Sequence, residues 1–243
     1  MFDNEHVISL NKRVGTSRIS VILPVYNEAG KLGNVLAVLR QLPELGEIIA
    51  VDDGSKDASI AEIRLAASQD ARLRLIQHPN NLGKGQAIYT GWQQARYPYL
   101  LLLDTDLQGL SVHHIRSLIG PVLQNQADMT LGLFCKGHFN TDLAHWVTPW
   151  LTGQRGLRRD LLQFLTWEAA SGYGFETALT VAAHSQHWRC QKVWLEGVWH
   201  PASETHRGFW KGLYNRTRMY LQVIRAFIVA KGWVKRLRRI VVD

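Results

Sequence analysis

Between residues 19 and 103 one scheme recurs: an apolar run, a polar loop, then an amphipathic helical pattern. "RISVILPVYNE" reads as a strand over about 19 to 25 and "KLGNVLAVLRQL" as a helix. "GEIIAVDDGSKD" is a second strand ending in acids, with Ser55 and Asp57 as candidate caps for the helix "ASIAEIRLAASQ". "RLRLIQHPNNLGKGQAIYTGWQQA" repeats strand, loop and helix, and "YLLLLDTD" supplies a fourth strand. Three strand–loop–helix units leading into a fourth strand predict an α/β fold, a mostly parallel sheet flanked by helices with right-handed crossovers. Such a sheet binds ligands in a crevice at the carboxyl ends of its strands, where the polar residues of this chain gather.

"LLLDTDLQGL" sharpens that expectation. Four leucines suit a strand buried on both faces, and carboxylates do not belong inside one. Asp104 and Asp106 instead stand where the chain leaves the strand, so both can converge on a hard cation with the Gln108 amide oxygen as a third ligand. A polar turn with helix-capping aspartates is the competing reading.

The rest of the chain has a looser pattern. "VHHIRSLIGPVLQ" predicts a helix, "ADMTLGLF" a strand, "LRRDLLQFLTWEA" and "YGFETALTVAAHSQ" helices, and "WRCQKVWLEGVWH" a strand pair or one long strand. At 46% hydrophobic and 20% charged the 243 residues suffice for one sizeable core, and no repeat or flexible linker divides them. Cys135 and Cys190 have no zinc-like spacing, which fits a reducing, cytoplasmic setting. The first eighteen residues carry acids and lack the apolar stretch of a secretory signal.

The net charge of +8 is unevenly placed: ten Lys or Arg and no acid lie between Arg207 and Val242. Tyr220, Val223, Ile224, Phe227, Val234 and Leu237 recur near helical spacing among those cations. The segment 207–243 therefore reads as a basic amphipathic helix, placed on anionic lipid or packed on the domain. Interruption by Arg225 and Lys231 makes its apolar stretch too short to span a bilayer.

"VILPVYNEAGKL", "IIAVDDGSKDAS", "NLGKGQAI" and "LLLDTDLQ", in this order and spacing, resemble the family 2 glycosyltransferases over residues 19 to 110. "LTGQRGLRRDLL" and "GYGFE" are similar to later motifs of the family. The resemblance implies the GT-A fold, a Rossmann-like sheet, and is nearest to the polyprenyl-phosphate (dolichyl-phosphate) mannosyl- and glucosyltransferases, with a lesser likeness to glucosyl-phosphoglycerate synthases. It divides the chain into an N-terminal extension (1–18), a glycosyltransferase domain (19–206, with a nucleotide-sugar part over 19–110 and an acceptor part over 111–206) and the C-terminal helix (207–243).

By this resemblance Pro24, Tyr26 and Glu28 line a nucleotide pocket, and Asp53, with Asp52 sharing the role, accepts a hydrogen bond from base or ribose. "NLGKGQA" matches neither a P-loop nor a dinucleotide fingerprint; in the family reading its glycines let the backbone approach the nucleotide and Lys84 contacts it. Asp104, Asp106 and Gln108 are the implied ligands of Mg²⁺ or Mn²⁺, with His200 a further candidate. Arg155 matches an arginine beside the diphosphate or acceptor phosphate. Glu176 is a general base if the nucleophile is a hydroxyl and a positioning group if it is a phosphate.

One stretch departs from the family. Where polyprenyl-phosphate enzymes carry a Gly-Ser-Arg element, this chain has Gly132 followed by Leu133 and Phe134, leaving Lys136 as the nearest cation. The implied activity is metal-dependent transfer of a hexose from a nucleotide-diphosphate sugar to a membrane-associated acceptor, polyprenyl phosphate being one candidate, by an enzyme lying at the inner face of the membrane. Two readings compete: the same donor chemistry with a soluble phosphorylated acceptor, and a non-catalytic protein of this fold that holds membrane or nucleic acid through its tail. No nucleic-acid signature accompanies the tail.

Overall fold

The computed structural model describes residues 19–135, 152–165, 167 and 174–200. The expected N-terminal extension, the C-terminal helix and Lys136 lie outside the described residues. In chain order the elements are β1 (Ile19–Val25), α1 (Leu32–Arg40), β2 (Leu45–Asp52), α2 (Ser59–Gln69), β3 (Leu73–Gln77), α3 (Lys84–Gln94), β4 (Tyr99–Leu102), α4 (Val112–Leu123), β5 (Met129–Cys135), β6 (Arg155–Arg158), a 3₁₀ turn (Arg159–Phe164), α5 (Phe175–Ser185) and β7 (Cys190–Glu196). The strands form one sheet in the order β3, β2, β1, β4, β6, β5, β7.

The three leucines of β4 and Leu103 just beyond it show why the sheet is covered on both faces. Leu101 and Leu103 join a cluster with Val21, Leu23, Val35 and Leu39 of β1 and α1 and Ile115 of α4. Leu100 and Leu102 point the other way, to Ile22, Ala87, Phe175 and Leu179. Successive strand side chains alternate between faces, so a continuous apolar run is what a sheet between two helical layers requires. Burial of Leu32, Val35, Leu36 and Leu39 holds α1 on its side, each side chain contributing roughly 2 kcal/mol.

β1 pairs in parallel with β2 and with β4, and Val25 stands opposite Asp52. The carboxyl ends of β1, β2 and β4 thus open on one edge. A buried carboxylate braces the other edge: Glu47 of β2 accepts from the Ser20 hydroxyl, the Arg96 backbone N–H and the Arg74 guanidinium, each at 2.7 Å.

Two expectations about local structure are corrected. "LRRDLLQFL" begins not as a helix but as β6, antiparallel to both β4 and β5, and the chain then makes a 3₁₀ turn. Without β6 the inner edges of β4 and β5 would keep unpaired backbone groups inside the protein, a cost that outweighs the helical pattern of the apolar residues. Ser55 caps nothing; its hydroxyl accepts from the Asn27 N–H, whereas Asp57 accepts from the N–H of Ser59 at the start of α2. Of the two readings for "WRCQKVWLEGVWH" the structure has the single strand, parallel to β5, followed by a turn, after which Trp199 makes an isolated antiparallel bridge to Gln108.

Candidate functional site

The site is built from the loops that follow β1, β2, β4 and β7, and from the starts of α3 and α5. Lys84 opens α3. Its ammonium lies 2.7 Å from Asp104 Oδ1 and 2.7 Å from Glu176 Oε1, joining the acids that follow β4 to the first turn of α5. Burial alone would push the Lys84 pKa down, but the two carboxylates outweigh that and raise it. The other oxygen of Asp104 accepts from the Gln154 amide at 3.0 Å. Gly153 lies so close that a Cβ there would stand 2.5 Å from Asp104 Oδ2 and 2.7 Å from Lys84 Nζ. Gly153 and Gln154 were not singled out by sequence reasoning, although they sit inside the quoted "LTGQRGLRRDLL".

His200 completes the other side. Its Nδ1 is 2.8 Å from Asp106 Oδ1 and its Nε2 is 3.8 Å from Asp104 Oδ2. Burial lowers the proton affinity of the imidazole, yet the bond to Asp106 and the charges of both aspartates leave its pKa raised. The ring packs edge-on against Phe134, centroids 5.1 Å apart. Phe134, which occupies the departure from the family pattern, is 1% exposed and supports the histidine. Backbone bonds hold the approach: Gln108 N–H donates to Trp199 O at 2.9 Å and Trp199 N–H to Gln108 O at 3.1 Å. Gly109, at φ 72°, is required there, since a Cβ would meet Gly197 O at 2.2 Å.

The expected nucleotide residues divide. Pro24 lies in β1 and Tyr26 just beyond it, 44% exposed. Glu28 is ion-paired with Lys31 at 3.1 Å. Its pKa is raised by burial first, and then by the charges of Asp106 and Asp104 despite Lys31. Asp52 is 1% exposed; one oxygen accepts from the Ser55 N–H, and the other is buried without a partner. Asp53 is engaged within the protein. Its carboxylate accepts from the N–H groups of Leu82 and Gly83 and lies 2.8 Å from His78 Nδ1, while His78 Nε2 meets the Thr90 hydroxyl. At 2% exposure it braces the loop that aims Lys84, and it is Asp52 that retains a spare acceptor.

Two further assignments shift. Gln108 does not face the aspartates: its amide oxygen accepts from Asn34 at 2.9 Å. Arg155 is fully buried, with Nε donating to Thr152 O and the terminal nitrogens near Glu176 O and the Thr180 hydroxyl. Burial lowers its pKa to about 10. As placed, the guanidinium ties the Gly153 loop to the start of α5.

The donor chemistry fits a hard divalent cation. Glu28, Asp104 and Asp106 crowd one opening, the charges of the two aspartates helping to raise the Glu28 pKa, and oxygen donors with one imidazole suit Mg²⁺ or Mn²⁺. Among the described residues no three His, Cys, Asp or Glu side chains converge to hold an ion. Coordination therefore requires Asp104 or Asp106 to turn from its present partner.

The model of "Glycosyl transferase family 2" matches residues 20–188. An undecaprenyl-phosphate 4-deoxy-4-formamido-L-arabinose transferase of Pseudomonas paraeruginosa is 40% identical over 96 residues, covering 37% of this chain and 28% of that protein. A dodecaprenyl-phosphate galacturonate synthase of Rhizobium johnstonii is 27% identical over 158 residues, covering 62% and 46%. The chain thus spans less than half the length of these relatives. Glucosyl-3-phosphoglycerate synthase from Mycobacterium tuberculosis, solved with Mn²⁺, uridine-diphosphate-glucose and phosphoglyceric acid, superposes with a TM-score of 0.73 at 21% identity, covering 96% of this chain and 86% of that one. That likeness establishes the GT-A fold. With the family model matched across most of its length and the motif-bearing loops gathered on one sheet edge, the chain belongs to glycosyl transferase family 2.

Proposed function

We propose that this protein is a divalent-cation-dependent glycosyltransferase that moves a hexose from a nucleotide-diphosphate sugar to a phosphate-bearing acceptor at the membrane, polyprenyl phosphate in kind. The observation that carries the reading is the Lys84 ammonium held at 2.7 Å by both Asp104 and Glu176 beside the Asp106–His200 pair. In this reading Asp52, Pro24, Tyr26 and Glu28 hold the nucleotide, and Asp104, Asp106 and His200 hold the cation. A cation bound there would neutralise the diphosphate leaving group as the glycosidic bond breaks. Lys84 adds a positive charge between donor and acceptor, and Arg155 keeps Glu176 and the Gly153 loop in register.

Glu176 favours the phosphate acceptor over a hydroxyl. Its carboxylate is engaged by Lys84 and its backbone carbonyl by Arg155, so it is arranged to position a partner. An anionic phosphate needs no general base. The polyprenyl-phosphate names of two relatives support a lipid acceptor; the phosphoglycerate-binding structure of similar fold supports a soluble one. No helix among the described residues is long and apolar enough to cross a membrane. The ten cations after residue 206 favour attachment to an anionic surface, each engaged Lys or Arg contributing about 1 kcal/mol.

The test is an assay of full-length protein with Mn²⁺, a panel of radiolabelled nucleoside-diphosphate hexoses, and either polyprenyl phosphate in anionic vesicles or phosphoglycerate in solution. Label entering the solvent-extractable lipid supports the proposal. Label entering only the soluble acceptor overturns the lipid assignment, and no Mn²⁺-dependent transfer to either overturns the enzyme.

A further inference from the structure

At the opposite end of the sheet from Asp104 the protein carries a groove of about 530 Å³, lined among others by Trp92, Tyr99, Asn125, Arg158, Arg159 and Gln163. The two arginines differ. Arg158 is engaged by the Asp160 carboxylate through two nitrogens and lies 3.8 Å from Asp128. The Arg159 guanidinium has neither a carboxylate nor a hydrogen-bond partner among the described residues, while its backbone is fixed at both ends: the N–H donates to Pro98 O at 2.8 Å and the carbonyl accepts from the Trp92 indole at 3.2 Å. The Arg159 side chain thus lines the groove with its charge matched by no carboxylate among the described residues.

We infer that this groove is a second binding site, for a small phosphate-bearing ligand that carries a flat ring, of which a nucleotide is the simplest example. Its volume falls in the range of small-molecule sites. The planar fork of Arg159 suits phosphate oxygens. Trp92 and Tyr99 supply aromatic wall for a ring, Asn125 and Gln163 line it with polar groups, and of the charged lining residues Arg158 and Asp160 pair with each other, which leaves the charge of Arg159. The position suits an effector. Three lining elements reach the candidate active site at their other ends: α3 begins at Lys84, β4 leads from Tyr99 to Asp104, and β6 leads back from Arg158 to Arg155 beside Gln154.

The experiment reads the groove directly. Full-length protein is labelled with phenylglyoxal with and without adenosine monophosphate, and modification of individual arginines is followed by peptide mass spectrometry. The nucleotide is expected to slow labelling of Arg159 and leave the exposed Arg64 unchanged. Arg159→Ala should weaken calorimetric binding of the nucleotide at this site by about tenfold or more, with Arg159→Lys between it and the wild type. Identical Arg159 labelling with and without nucleotide would overturn the site, and equal protection by inorganic phosphate at the same concentration would overturn the ring-binding part. Neither readout depends on transferase activity.

Discussion

Two pairs of acids stand at the ends of buried strands in this chain and look alike as sequence, yet the second acid of the first pair and both acids of the second have different surroundings. Asp53, after β2, is enclosed by two backbone N–H groups and His78. Asp104 and Asp106, after β4, keep side-chain exposures of 20% and 26% and meet groups that can move, the Lys84 ammonium and the His200 ring. The difference lies in what returns over each strand end. The "NNLGK" loop crosses β2 with backbone donors that Asp53 accepts from; the Gly153 loop and the segment ending in His200 cross β4 with the side chains of Gln154 and His200. A carboxylate satisfied by fixed backbone donors holds the fold, and one satisfied by mobile cations is available for chemistry.

The largest effect expected from breaking this comparison is at Asp53. Asp53→Ala would leave the Leu82 and Gly83 N–H groups and His78 without their shared acceptor in a site that is 2% exposed, so stability should fall by about 3 kcal/mol. The drop is read as a shift of the urea midpoint at constant slope. A loss below about 1 kcal/mol would show that Asp53 is not a brace and would return it to the ligand pocket.

Much of this was legible in the sequence and the remainder was not, for a common reason. β1 to β4 and the helices between them announce themselves because most of their apolar positions are buried between the sheet and one of two helical layers. β6 was hidden because a four-residue strand carrying Arg155 and Arg158 runs straight into the apolar residues of the following turn, and only its neighbours' unpaired edges select it. The partners of Asp53 are 25 to 30 positions away, and His200 is 94 positions from Asp106. Motif resemblance located these residues near a site but could not say which partner each one faces.

A second test uses an acid at the far end of β2. Glu47 is buried, and burial alone would raise its pKa, but donors from Arg96, Ser20 and Arg74 hold it below the ordinary range. A carboxylate depressed in the folded state adds stability that is present above its unfolded pKa, about 4.3, and is lost as pH falls through the lower folded value. Glu47→Gln should therefore cost about 2 kcal/mol at neutral pH. The gap between the wild type and the variant should narrow as pH drops below about 4. Urea titrations at a series of pH values measure it, and a gap independent of pH would mean that shape, not charge, matters at this position.

The smallest of the three effects on free energy, and the one closest to function, is expected at Asp106. Because Asp106 stands beside Asp104 and Glu28, whose pKa it helps to raise, Asp106→Asn relieves repulsion and should leave the melting temperature unchanged or slightly higher. The same substitution removes a hard anionic donor and the partner of His200 Nδ1. Mn²⁺-dependent binding of a nucleoside diphosphate should then weaken at least about tenfold, equivalent to about 1.4 kcal/mol, whereas any binding in the absence of the cation should not change. Calorimetric titrations with and without Mn²⁺ separate the two. If Asp106→Asn destabilises the protein as Asp53→Ala is expected to, the two acid pairs are alike after all; if it binds Mn²⁺ and nucleotide as the wild type does, the cation is held elsewhere and the role given to the acids after β4 fails.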